Sequence, residues 1–231
     1  MEQHSSDPRT PFVIGIILLG VVLLGGIVWA VVSAPGSSGP SGEANVSFRD
    51  DNDPVFGKED SSVVVRIFGD LECPACRAAE PGVTHLRETY ADRIKIVWND
   101  YPLPPSTHPK ARPAANAARC AEEQGRFWEM HDALYATQDA WSRSGDTASM
   151  FESMAGQLGL DEASFRACYD EKRHDAKISA DLQEGNANSV NATPTFFINN
   201  VRKVGVLSPS DWDAALKPFL DVKPAAASST N

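Results

Sequence analysis

The chain has 231 residues, 42% hydrophobic and 23% charged, ordinary proportions for a globular protein with one sizeable core or two small ones. A formal net charge of −10 argues against a nucleic-acid partner, because phosphate binding needs a basic face. Four cysteines are too few for a small disulfide-stapled scaffold but leave room for two pairs.

Phe12 to Val32 is an apolar run without a charge, matching the roughly 20 residues that cross a bilayer as helix. Trp29 stands near its outer end, where an indole favours the interface. A signal peptide cleaved at Val32-Ser33-Ala34 is the other reading. The run exceeds the roughly 7–15 apolar residues of a signal core, so an uncleaved anchor over 12–33 is expected. Arg9 and the amino terminus are the positive groups before the run, and Arg49 is the first basic residue after it. The positive-inside rule then puts residues 1–11 in the cytoplasm and the rest outside, where disulfides persist. Residues 34–52, rich in Gly, Ser and Pro at the start, read as a flexible linker, which with its lead-in counts as about 28 residues and reaches ~30 Å. Residues 222–231 read as a disordered tail.

The folded part is expected over 53–221. Val63 to Phe68 is a near-continuous apolar run, as in a strand covered on both faces. Pro74 to Tyr90 has helical spacing at Val83, Leu86 and Tyr90, with Pro74 suited to the first helical position and Pro81 expected to kink the helix. Ile94, Ile96 and Trp98 alternate as a strand does, completing a βαβ unit with parallel strands. From about 105 to 190 the pattern is helical. Its stripes fall at Ala114, Ala117, Ala118 and Ala121; at Phe127, Met130, His131, Leu134 and Tyr135; at Met150, Phe151, Met154 and Leu158; at Phe165, Cys168 and Tyr169; and at Ile178 and Leu182. Thr195 to Ile198, a turn at Asn199-Asn200 and Val201 to Val206 read as a hairpin. Ser208-Pro209-Ser210-Asp211 opens a last helix with a capping-box-like start, its buried stripe at Trp212, Ala215, Leu216 and Phe219.

The most informative motif is Cys73-Pro74-Ala75-Cys76, at the junction of the first long strand and the first helix. A thiol at a helix N-terminus meets unpaired N–H groups and the positive end of the dipole, which favour the attacking thiolate. Cys76, one turn further on, is the resolving thiol. A structural disulfide and half of a zinc site are the bland alternatives. A four-cysteine zinc site would need Cys120 and Cys168, which lack the close pairing of such sites, and no metal is assigned. Glu72 is a like charge that raises the Cys73 thiol if it lies close. Asp70 and Glu72 are the acids nearest the dithiol, read as solvated loop carboxylates rather than proton relays. His108 and His131 read as caps or core contacts, and Phe127-Trp128 as core of the insertion.

The order β, redox helix, β, helical stretch, hairpin, helix resembles the DsbA-like branch of the thioredoxin-fold thiol–disulfide oxidoreductases, in particular its membrane-tethered bacterial members. The resemblance rests on Asp53-Pro54-Val55-Phe56-Gly57 and on Phe68-Gly69-Asp70-Leu71-Glu72-Cys73-Pro74-Ala75-Cys76. It continues in the stretch from Cys120 to Asp132 and in Ala192-Thr193-Pro194-Thr195-Phe196-Phe197-Ile198-Asn199. It covers roughly Asp53 to Leu220. It implies an α/β thioredoxin fold, a mixed central sheet flanked by helices and interrupted by an all-helical insertion. It also implies a cis Thr193-Pro194 bond beside the dithiol, and substrate contacts at Thr193, Pro194, Pro74 and Ala75. Pro74-Ala75 departs from the Pro-His pair of strongly oxidising relatives, and position 67, where some relatives bury an acid, is Ile.

Cys120 and Cys168 lie on helices of the insertion among apolar neighbours, as buried thiols or as a structural disulfide. An oxidising compartment favours the disulfide, which adds at most ~4 kcal/mol through loop closure. The expected function is therefore a membrane-anchored, extracytoplasmic dithiol oxidase of exported cysteine-containing proteins. It needs no dissociable cofactor, and the resemblance implies reoxidation by a quinone-linked membrane oxidase. A reductase or isomerase with the same dithiol is the first alternative. Isomerases usually pair subunits, and no dimerisation region is seen, so a monomer is expected. A tethered binding or chaperone-like module with a structural cysteine pair is the second alternative.

Overall fold

The computed structural model describes residues 46–49 and 52–221. The anchor expected over 12–33, most of the linker and the tail lie outside them. Among the described residues no helix is long and apolar enough to cross a membrane.

Five strands form one mixed sheet in the order β1-β3-β2-β4-β5. They are β1 (Val55–Gly57), β2 (Val64–Gly69), β3 (Lys95–Asp100), β4 (Thr195–Ile198) and β5 (Val201–Val204). β2 is central, parallel to β3 and antiparallel to β4, so a near-continuous apolar run takes a place covered on both sides. The helix α1 (Pro74–Tyr90) joins β2 to β3 and runs through Pro81 as one element. It buries Cys76, Ala79, Val83 and Leu86, the stripe that 3.6-residue spacing puts on one side. The short edge strand β1 carries no period of its own. It forms because Val55 pairs with Val97, and Trp128 Nε1 donates to Val55 O at 3.1 Å.

The insertion consists of α2 (Ala111–Glu122), α3 (Phe127–Ala136), α4 (Gln138–Trp141), α5 (Thr147–Gln157), α6 (Glu162–Asp170) and α7 (Asp175–Ala187). Four residues are too short to show a period, so α4 has no sequence signature. The last helix, α8 (Pro209–Leu220), starts with the capping box: Ser208 accepts from the Asp211 N–H and the Asp211 carboxylate accepts from the Ser208 N–H. Phe127 and Trp128 do more than fill the insertion. Phe127 packs on Trp98 of β3 and Trp128 on Phe56 of β1, joining the helices to the sheet.

The two faces of the sheet differ in chemistry. Val65, Ile67, Ile96, Trp98, Phe196 and Ile198 point into the main core with α1, α8 and the insertion. On the other face Phe68 and Phe197 meet Phe48, Val190 and Leu182. Residues 46–49, read from sequence as the end of the linker, are docked here. Ser47 exchanges hydrogen bonds with the Asn188 side chain at 3.0 Å, and the Phe48 ring sits 5.0 Å from that of Phe197. A segment rich in polar residues gives no sign in the sequence that one phenylalanine will fill an apolar gap.

Beside that apolar patch lies a buried ionic cluster. Arg119 of α2 donates to Asp100 Oδ2 through Nε and to Asp181 Oδ2 through Nη2, each at 2.7 Å. Arg66, inside the central strand, donates to Asn99 Oδ1 at 2.8 Å and to Asp53 Oδ2 at 3.3 Å. Lys177 bridges Asp53 and Asp181. Burial, together with the charge of Asp100, pushes Asp181 up to about 7 despite Arg119. Burial by itself lowers the Arg119 pKa, but Asp100 and Asp181 outweigh it and raise it. The cluster ties β3, α2 and α7 together.

Replacing Arg119 with Met removes the cation between two buried carboxylates. The expected cost is about 3–5 kcal/mol of folding stability, because Asp100 and Asp181 are left in a dry site without the cation that satisfied them. Urea unfolding should show it as a lower midpoint at unchanged slope.

Candidate active site

β2 ends at Gly69, and the chain turns through Asp70, Leu71 and Glu72 into Cys73, the N-cap of α1. Gly69 is required there: a Cβ would lie 2.2 Å from the Trp98 ring, which slots over the strand end. Cys73 has extended backbone at the N-cap, and its sulfur faces the N–H groups of Ala75 and Cys76 in the first turn of the helix. Cys73 and Cys76 are free thiols, 6% and 3% exposed, while Pro74 and Ala75 between them are exposed. The nucleophile candidate is thus only slightly less covered than its partner, and the accessible rim is the dipeptide.

The Thr193-Pro194 bond is cis and brings Thr193 O to 3.7 Å from Cys73 Sγ. Thr193 Oγ1 is buried with no hydrogen-bond partner, so its O–H can turn toward a thiolate. Cys73 is lowered to about 5, first by a hydrogen bond from the Cys76 thiol, then, against the opposing effect of burial, by Thr193 and the N–H groups of Cys76 and Ala75. Burial pushes the Cys76 thiol up, and the neighbouring Cys73 charge adds to it. The two sulfurs of one motif are therefore driven in opposite directions.

Asp70 and Glu72 are not solvated; they are 2% and 8% exposed. Asp70 accepts from the Glu72 N–H at 2.7 Å and the Leu103 N–H at 2.9 Å, and pairs with His108 Nδ1 at 2.7 Å. Burial raises its carboxyl pKa. Glu72 accepts from the Lys110 N–H at 2.6 Å, so its carboxylate is committed to the start of α2. Both acids organise loops, which sequence adjacency to the cysteines does not reveal. His108 is an Asp70 partner at the rim, and His131 is a core contact, its ring 4.8 Å from that of Trp98.

Three positioning residues escape the sequence reading. Gln138 of α4 donates to Leu71 O at 2.8 Å and to Cys73 O at 3.1 Å, clamping the loop that carries the nucleophile. Tyr135 donates to Asp70 O at 3.2 Å. Glu80 shares a cavity of about 10 Å³ with Cys76, Ile67, Tyr135 and Pro194, and burial raises its carboxyl pKa. Only Glu80 carried a signal, standing one helical turn beyond Cys76. A larger cleft of about 570 Å³ runs along Tyr101 to Pro105, His108 and Asn191, next to the Thr193 loop.

Cys120 and Cys168 are joined as a disulfide between α2 and α6, with Cα atoms 5.8 Å apart.

A family model described as thioredoxin matches residues 49–218, and the chain belongs to that family. Its fold is that of the solved DsbA-type structures. It is similar to a thioredoxin-like oxidoreductase from Silicibacter pomeroyi, at 25% identity and TM-score 0.60, covering 75% of this chain and 95% of that one. BdbD from Bacillus subtilis aligns at 20% identity and TM-score 0.66, covering 74% and 94%. α-DsbA1 from Wolbachia pipientis aligns at 20% and 0.65, covering 76% and 94%. Among curated relatives, a Na(+)/H(+) antiporter NhaA of Salinispora tropica is 41% identical over 166 residues, 72% of this chain. One of Mycolicibacterium vanbaalenii is 35% identical over 171 residues, 71% of this chain. The chain spans about a quarter of the length of these relatives, 24% and 25%.

Alkylation of the reduced protein should titrate at one sulfur with a midpoint of about 5. The folded pKa lies below the unfolded value of about 8.5, so the reduced form carries this stabilisation fully above that pH. It is lost as pH falls to about 5. The urea midpoint of the reduced form, relative to the oxidised form, should rise across that window.

Proposed function

We propose that this chain is a protein dithiol oxidase working through Cys73 and Cys76. The observation that carries the reading is the placement of Cys73 Sγ over the first turn of α1 and against the Thr193 carbonyl, with Cys76 sealed behind it. In the oxidised enzyme a substrate thiolate attacks Cys73 Sγ and the Cys73–Cys76 bond breaks. Cys76 leaves with the electron pair and takes up a proton, in keeping with its raised pKa. Glu80, in the adjoining cavity, stands where that proton can pass. The substrate's second thiolate then attacks its own sulfur in the mixed disulfide and expels Cys73 as thiolate. The substrate has lost two electrons and the enzyme has gained them. A leaving group with a pKa of about 5 departs readily and stabilises the reduced enzyme, which supports the oxidising direction over reduction or isomerisation. Thr193, Pro194 and the exposed Pro74-Ala75 rim would hold the extended substrate.

The same proposal places the domain outside the bacterial cytoplasmic membrane on a single N-terminal anchor. It acts there as a monomer on exported cysteine-containing proteins and is reoxidised by a quinone-linked membrane oxidase. The charge-free run Phe12 to Val32 and the disulfide at Cys120 and Cys168 support this setting. So does the likeness to a stretch of antiporters, which are membrane proteins by name. Their ion transport is not carried over.

Cys73→Ala should abolish oxidation of reduced, unfolded ribonuclease. Unchanged turnover would leave only a binding module. Cys76→Ser should trap mixed disulfides through Cys73, and equilibration with glutathione should give a potential nearer about −120 mV than about −270 mV. The full chain should stay with membranes through an alkaline carbonate wash, and a chain beginning at Gly42 should be released.

A further inference from the structure

We infer that Cys120, Cys168, His174 and Glu123 form a zinc site whenever the Cys120–Cys168 bond is open. No close C-x-x-C pairing announces it. The fold assembles it from α2, α6 and the turn into α7. One ligand atom each from Cys120, Cys168 and His174 lie within 4.8 Å of one another. Glu123 Oε1 lies 3.7 Å from Cys168 Sγ and 2.9 Å from His174 Nε2. Tetrahedral zinc with sulfur at about 2.3 Å and nitrogen at about 2.0–2.1 Å needs ligand atoms about 3.3–3.8 Å apart, a spacing the Cys168 Sγ and Glu123 Oε1 atoms already have at 3.7 Å. The Cα separation of 5.8 Å lets two freed sulfurs part by side-chain rotation.

The surroundings suit an ion. The two cysteines are 1% and 0% exposed, while the His174 and Glu123 side chains are 21% and 34% exposed, so the sulfurs form the floor and the other two the entrance. Arg173 Nη1 donates to Glu123 Oε2 at 2.6 Å, fixing that carboxylate and leaving Oε1 turned to the sulfurs. Two thiolates, one carboxylate and Arg173 balance a divalent cation.

A newly made chain carries the pair as two thiols, and zinc displaces both protons. A low-molecular-weight disulfide later accepts two electrons from the thiolates, becomes two thiolates itself, and the Cys120–Cys168 bond forms as zinc leaves. Opening the bond again takes two electrons from a dithiol or a trialkylphosphine.

The test uses the full chain with Cys73→Ser and Cys76→Ser, so that one thiol pair remains. After reduction with a trialkylphosphine, which is then removed, the chain should bind one zinc ion, protected from alkylation at both thiols. Cobalt(II) should give thiolate charge-transfer and tetrahedral visible bands. The disulfide form should bind none. His174→Ala should weaken zinc binding about tenfold or more. If reduction alone loosens the fold, zinc should restore the native circular dichroism. The inference is overturned if the reduced chain takes up no more zinc than the disulfide form. It is equally overturned if His174→Ala binds as tightly as its parent, or if the reduced chain stays unfolded with zinc present.

Discussion

A negative charge on a nearly dry sulfur is the constraint around which this molecule is built. Burial alone would keep Cys73 a neutral thiol. The first turn of α1 points free N–H groups at it, and the Cys76 thiol adds another donor. These donors work only while the turn from Asp70 to Cys73 holds its shape, because hydrogen bonds weaken steeply with angle. That turn is closed from within by the Cys73 N–H on Asp70 O at 3.0 Å and the Glu72 N–H on Asp70 Oδ1 at 2.7 Å, and it is braced from outside. Gln138 and Tyr135 from the insertion hold three of its carbonyls, and the Asp70 and Glu72 carboxylates tie it to the loop before α2.

The insertion is therefore part of the site. It is seated in turn by two unlike contacts with the sheet. On one face the rings of Phe127, Trp128 and His131 meet Trp98 and Phe56. At the end of β3, Arg119 reaches Asp100, which also accepts from Trp98 Nε1 at 2.9 Å, and joins α7 through Asp181. Apolar packing is non-directional, whereas the ion cluster joins named partners through directional hydrogen bonds. The Cys120–Cys168 link adds a covalent tie within the insertion, between α2 and α6.

Much of this is legible from the chain alone. The strand–helix–strand unit with its dithiol stands out because hydrophobic period, a proline at the first helical position and C-x-x-C agree. The helical stripes from Ala114 to Leu182 and the capping box at Ser208 follow from the same local rules. The solvated reading of Asp70 and Glu72 failed because burial of a polar residue depends on which distant N–H groups come to meet it. The docking of Phe48, the strand at Val55 and the clamp by Gln138 have the same cause: each is decided by a partner far away in sequence.

By itself the sequence determined which elements form and which sulfur heads the helix, since propensity, periodicity and capping act over a few neighbouring residues. Tertiary structure alone decided what surrounds that sulfur: the Thr193 carbonyl against it, the glutamine under its loop, the acids turned away into hydrogen bonds. The physical reason is that charge and polarity are priced by the local dielectric and by available partners, and both exist only once the chain has folded.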